Sequence, residues 1–168
     1  MSSLETIAAS RGVLGVIGHP VSHSLSPRIH NAAFQAQSLG LVYVAFDVPP
    51  DRLPAAMAGI RALGIRGLSV TMPHKAAVIA ELDEMEHDAA QLGAVNCIRR
   101  SGHRLIGDNT DGAGFLSGLR HDFDFDPAGA DCTVLGAGGA ARAVVLALAR
   151  AGAASVRIVG RTPANAAV

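Results

Sequence analysis

Gly136, Gly138 and Ala141 stand at the spacing G-x-G-x-x-A, between a short apolar run at 132–135 and a helix-forming run at 143–150. The chemistry open to this spacing is the binding of a pyrophosphate. Gly136 permits a tight turn, Gly138 lets the backbone come close to phosphate oxygens, and Ala141 is small enough for the helix to pack on the strand. The helix N-terminus then offers unpaired N–H groups and partial positive charge to the anion. With Ala137, Gly139 and Ala140 these residues make a candidate dinucleotide site. A β-rich run at 155–159 follows and ends in Gly160, Arg161 and Thr162. An NAD site carries an acid about 20 residues past the turn to bind the ribose 2′-hydroxyl. This chain has no acid there. Arg161, with Thr162 beside it, suits a 2′-phosphate, so the expected cofactor is NADP.

Other side chains could act on a small anionic ligand. Ser24 and Ser26 lie in a loop after an apolar strand, where short hydroxyls beside helix N–H groups suit a carboxylate. Ser26 is also the expected N-cap of a helix with Pro27 at its first position, whereas Ser24 has no such capping role. Lys75 comes just past a strand that ends at Thr71, after a proline that stiffens the turn. Asp111 opens a helix, where negative charge is favourable. Taken singly, Lys75 and Asp111 read as solvated side chains. His19, His23 and His30 are close in sequence, but their spacing matches no metal motif and no carboxylate accompanies them, so no metal is expected.

The elements that must position these groups alternate. Strands are expected at 13–17, 41–47 and 67–71, with helices at 26–37 and 50–63 between them. A β-α-β-α-β order argues for a parallel sheet with crossover helices. Short helices are expected at 75–82 and 84–92. Strands at 95–99 and 104–106 flank Ser101 and Gly102 and predict a hairpin at the sheet edge. A helix from 111 to 119 and a polar loop at 121–129 lead to the glycine-turn strand. The fold class is thus α/β: an N-terminal, parallel-dominated sandwich domain over 1–107, then an incomplete Rossmann-type dinucleotide-binding domain over 108–168. Two strands and one helix cannot cover both faces of a parallel sheet. The expectation is therefore a fragment, or a chain whose sheet a homodimer or swapped oligomer completes.

The chain has 168 residues, 49% of them hydrophobic, with 14 basic and 14 acidic side chains. Zero net charge argues against nucleic-acid and membrane-surface partners. No apolar run reaches transmembrane length, and the N-terminal residues lack the basic and apolar regions of a secretory signal. Cys97 and Cys132 fall inside expected strands without metal spacing, as two reduced core thiols of a cytoplasmic protein would. Aromatic residues make up only 4% of the chain, so ligand recognition should not rest on stacking.

Five islands occur in order: G-H-P-V-S-H-S-L-S-P-R-I-H-N at 18–31, G-L-S-V-T-M-P-H-K at 67–75, G-A-V-N at 93–96, G-D-N-T-D-G at 107–112 and G-A-G-G-A at 136–140. This set closely resembles the shikimate dehydrogenase family, over about residues 13–162. The resemblance implies NADP-dependent, reversible reduction of 3-dehydroshikimate to shikimate in aromatic amino acid biosynthesis. It further implies that Lys75 and Asp111 form the catalytic pair, that Thr71 and Asn96 hold neighbouring hydroxyls, and that Ser24 and Ser26 take the carboxylate. Ser69 stands where the family usually has Asn, so its contact to the substrate is shorter or runs through water. A second basic residue usual after the Arg161 position is absent, Asn165 occupying that region, which weakens the 2′-phosphate preference. The family's later segment, including a helix that supplies a substrate-contacting Gln, is not in this sequence. Alternatives are a quinate/shikimate dehydrogenase using NAD and a catalytically silent shikimate-binding module.

Overall fold

A computed structural model describes residues 12–160, so Arg161 and Thr162 of the expected cofactor site lie outside the described residues. The strands β1 (Gly12–Gly18), β2 (Leu41–Asp47) and β3 (Gly67–Val70) alternate with the helices α1 (Ser26–Ala36) and α2 (Leu53–Ala62). β1 is parallel to both β2 and β3. Its last four residues are buried without alternation, the pattern of a strand covered on both faces. Ile17, Leu68 and Val70 pack with Met57 and Ile60 of α2 on one side. Val16 and Tyr43 pack with Phe34 of α1 on the other. The result is a helix–sheet–helix sandwich.

The chain then passes through α3 (His74–Ala77), a 3₁₀ turn, β4 (Glu84–Met85) and α4 (His87–Leu92) into the hairpin of β5 (Cys97–Ser101) and β6 (Arg104–Asp108). The six strands stand in the order β2-β1-β3-β5-β6-β4. Because β5 is antiparallel to both β3 and β6, β6 runs in the same sense as β1 and β3. The C-terminal ends of β1, β3 and β6 and the start of β5 therefore reach one sheet edge. That edge holds the loops carrying Ser24, Thr71, Asn96 and Asp111.

Beyond it, α5 (Asp111–Phe123) packs on α6 (Gly139–Arg150), which connects the parallel strands β7 (Asp131–Leu135) and β8 (Ser155–Val159) of a separate two-stranded sheet. Small residues let the helices meet closely. A Cβ placed on Gly112 would lie 2.9 Å from the Ala143 carbonyl oxygen and 3.1 Å from Ala147 Cβ.

Several expected boundaries shift for identifiable reasons. The hairpin is not the sheet edge, because β4 lies outside β6, parallel to it. Two residues are too few to show a period, and the second expected short helix begins only at His87. The helix expected to end at Leu119 runs to Phe123, where Arg120 and His121 suit its C-terminal dipole and Asp124 turns left-handed at φ 48°. The helix after the glycine turn begins at Gly139 rather than Ala143. Both cysteines are free, and each is half-buried rather than fully in the core. No helix among the described residues is long and apolar enough to cross a membrane.

Candidate active site

The turn after β3 is tied down before it delivers any chemistry. The Thr71 N–H donates to the Ile17 carbonyl over 2.9 Å, and the His74 N–H donates to the Thr71 carbonyl over 3.0 Å. The His74 ring is buried, with Nε2 donating to the Val48 carbonyl over 2.6 Å. Nothing in the sequence separates this histidine from the six others, because its burial is a property of the fold. Lys75 follows on α3, and its carbonyl accepts the Val95 N–H over 2.7 Å.

Lys75 Nζ donates to Asp111 Oδ2 over 2.5 Å. The two side chains are 22% and 26% exposed, sheltered enough to strengthen their attraction yet open to a small molecule. Lys75 is also the only lysine of the chain: the fourteen basic side chains are one lysine and thirteen arginines. Asn96 Nδ2 donates to the other carboxylate oxygen of Asp111 over 2.6 Å and to Thr110 Oγ1 over 3.1 Å. Its Oδ1 accepts the Thr110 N–H over 2.9 Å. Asn96, expected to hold a ligand hydroxyl, thus orients the carboxylate in this structure.

The remaining expected residues divide. Thr71 lines a cleft of 640 Å³ together with Lys75 and the glycine-turn residues Gly136, Gly138, Gly139 and Ala140; Ala137 lies on the same wall. A Cβ on Gly139 would sit 3.7 Å from Lys75 Cδ, so the turn abuts the lysine stem. Ser24 and Ser26 lie at the same sheet edge but make no hydrogen bond to the Lys75–Asp111 pair. The capping expectation is reversed: Ser24 Oγ, not Ser26 Oγ, accepts a backbone N–H at the start of α1, that of Ser26 over 3.2 Å. A hydroxyl two residues ahead reaches that N–H without needing the N-cap position. Ser69 lies within β3 and accepts from the Tyr43 hydroxyl over 2.6 Å. His19 does have a carboxylate companion, since its Nδ1 lies 2.8 Å from Asp47 Oδ1. Register explains this, pairing Gly18 with Asp47 across β1 and β2. No group of three metal-ligating side chains occurs among the described residues.

The glycine turn fits a phosphate. Gly136 has φ 108°, which side-chain-bearing residues rarely adopt, and neither Gly136 nor Gly138 has any atom within 4 Å of where a Cβ would stand. The space is open and the backbone is exposed to it. Arg142 N–H closes the first helical turn on the Gly138 carbonyl over 3.0 Å. Ahead of it, the N–H groups of Gly139, Ala140 and Ala141 have no helical partners. Arg150, at the far end of α6, reaches back to Asp88 and Gln91 of α4, each over 2.7 Å.

Cys97 borders the site, paired across the sheet with Ser69 and Asp108. Burial pushes its thiol above the usual cysteine range and the Asp108 carboxylate adds to this, with Arg99 opposing. Less thiolate at pH 8 means slower alkylation. Iodoacetamide is expected to label Cys97 more slowly than free cysteine, measured by peptide mass spectrometry; a rate equal to that of free cysteine contradicts the burial argument.

The model for the shikimate dehydrogenase substrate binding domain matches residues 16–98. A shikimate dehydrogenase (NADP(+)) of Methanopyrus kandleri is 53% identical over 162 residues, covering 96% of this chain and 56% of the relative. The crystal structure of shikimate dehydrogenase from Aquifex aeolicus superposes with a TM-score of 0.91 at 41% identity, over 96% of this chain and 60% of that one. That of shikimate 5-dehydrogenase from Thermus thermophilus, in complex with NADP(H) and shikimate, gives 0.85 at 41% identity, over 92% and 58%. The chain spans just over half the length of the relatives it matches. The ordered islands, the α/β fold and these likenesses converge on one conclusion: the chain carries a match to the shikimate dehydrogenase substrate binding domain and is similar over nearly its whole length to shikimate dehydrogenases.

Proposed function

We propose that this protein carries the substrate site and the acid–base couple of an NADP-dependent shikimate dehydrogenase, interconverting 3-dehydroshikimate and shikimate. The observation that carries this reading is the 2.5 Å contact of Lys75 Nζ with Asp111 Oδ2, in a chain whose glycine turn abuts the same lysine. Oxidising a secondary alcohol removes a hydride from carbon and a proton from oxygen. Residues 136–140 would hold the pyrophosphate of NADP, with Arg161 and Thr162 as the residues assigned from the sequence to its 2′-phosphate, and the bound cofactor would supply the hydride chemistry. The chain's own residues manage the proton. A ligand hydroxyl beside Lys75 Nζ and Asp111 Oδ2 gives its proton to the couple in oxidation and receives one from it in reduction. Asn96 holds the carboxylate in place, and release of its Nδ2 to a ligand hydroxyl lets it serve both roles. Thr71 and Ser69 contribute further hydroxyls, and Ser24 and Ser26 receive the substrate carboxylate. Two separate sheets support two domains, the first sheet ending with β6 at Asp108 and the second beginning with β7 at Asp131. The proposed division into 1–107 and 108–168 thus sits one residue before the end of β6. The free thiols accord with a cytoplasmic setting.

The test is NADP⁺-dependent oxidation of shikimate, followed by the appearance of NADPH, with quinate and NAD⁺ as comparisons. Turnover fastest with shikimate and NADP⁺ is the expected result; a preference for quinate or NAD⁺ contradicts the assigned specificity. Ser24→Ala is expected to raise KM for shikimate about tenfold by removing a hydrogen bond to a charged group, leaving kcat little changed. A fall in kcat at unchanged KM would place Ser24 at the reacting centre instead.

A further inference from the structure

His74 and Asn109 are the buried side chains among the described residues that carry an imidazole or a carboxamide, and Asn109 stands two residues ahead of Asp111. A buried carboxamide is costly unless its groups are bonded, and Asn109 uses both ends. Its Nδ2 donates to the Ala94 carbonyl over 2.9 Å, and its Oδ1 accepts the Asp111 N–H over 3.1 Å. The two bonds reach in different directions. Ala94 precedes Val95, whose N–H donates to the Lys75 carbonyl. One side chain therefore ties the backbone behind the lysine to the backbone beneath the aspartate.

We infer that Asn109 is a positioning residue, which sets the separation of Lys75 Nζ and Asp111 Oδ2 by holding the Ala94 loop to the first turn of α5. A purely local role would need only the bond to the Asp111 N–H, a side chain serving the residue two places on. Ser24 does this for Ser26 elsewhere in the chain. The bond to Ala94 is what sets Asn109 apart. The catalytic meaning of the inference rests on the reading of Lys75 and Asp111 given above, but its test does not require turnover.

Because Lys75 is the only lysine, acylation by an amine-reactive ester, read by peptide mass spectrometry to separate the N-terminal amine, reports on Lys75 alone. Asn109→Ala removes both bonds. Asn109→Ser keeps an acceptor for the Asp111 N–H but cannot reach Ala94. Both variants are expected to acylate at Lys75 about 3–10-fold faster than the parent at pH 8, the effect of losing one buried hydrogen bond, with Cys132 alkylating at the parent rate as the sign of an intact fold. Asp111→Asn, which removes the carboxylate, sets the upper scale. Parent rates of acylation in both folded variants overturn the inference. So does a parent rate in Asn109→Ser alone, because the local bond would then suffice. Should Asn109→Ala not fold, Asn109→Ser decides. In shikimate oxidation the variants should lose kcat at nearly unchanged KM. A protein without shikimate turnover whose Lys75 acylation still responds to Asn109 keeps the positioning role and loses only the assigned reaction.

Discussion

Lys75→Ala lowers kcat for shikimate oxidation by about 10²–10⁴-fold, the usual worth of a positioned acid–base group, while KM for shikimate moves little. The split follows from where the lysine stands. Its ammonium is bound to Asp111 over 2.5 Å at the sheet edge, so its loss removes proton management at the reacting oxygen. The groups assigned to the substrate carboxylate, Ser24 and Ser26, lie on a different loop and remain. Steady-state kinetics of the purified variant check this. A large rise in KM with kcat preserved would make Lys75 a binding residue only. Arginine is an instructive second substitution. The chain uses thirteen arginines and reserves lysine for this one place, and a guanidinium keeps the charge but does not release a proton near neutral pH. Lys75→Arg should therefore be nearly as slow as Lys75→Ala.

Gly112→Ala is expected to destabilise the protein by about 1–3 kcal/mol, the range for overpacking a close contact. The added Cβ would fall 2.9 Å from the Ala143 carbonyl oxygen, a backbone atom in the second turn of α6 that cannot swing aside. The helices must separate, and α5 carries Asp111 as its first residue. The same change should therefore loosen the pair with Lys75 as well as lower Tm. Chemical denaturation measures the first effect and amine acylation of Lys75 the second. Gly114, two residues on, has nothing within 4 Å of a Cβ position, so Gly114→Ala should not destabilise the fold. A parent-like Tm for Gly112→Ala would contradict the tight helix contact.

Sequence patterns made the parallel core legible because its strands are mostly apolar runs set off by Pro27 at the start of one helix and Gly64 after the other. The strand at 41–47 and that at 155–159 were readable to the residue, since 41–46 is an apolar run that ends in Asp47 and 155–159 is rich in the β-branched residues Val156, Ile158 and Val159. β4 was not, because two residues carry no period and its existence depends on pairing with β6. The glycine turn was legible through backbone requirements: φ 108° at Gly136 is a condition that residue type alone can signal. Lys75 and Asp111 were legible only through the motifs around them, for they are 36 residues apart and nothing local joins them. The supporting side chains stayed hidden for a similar reason. Asn109 and His74 take their partners, Ala94 and Val48, from other loops, and a carbonyl 15 or 26 residues away leaves no trace in local composition. Ser24 and Ser26 show the limit of cap rules: α1 already begins at Ser26, so its hydroxyl caps nothing, and the serine two residues ahead takes the Ser26 N–H instead.

A double-mutant cycle on kcat with Lys75→Ala, Asp111→Ala and the combined variant tests most directly whether the two side chains act as one proton-handling unit. Groups that work as a unit are strongly non-additive, so the double variant should turn over no more slowly than the slower single one. If the two losses instead multiply, so that the double variant is slower by the product of the single effects, the lysine and the aspartate act independently and the couple does not exist.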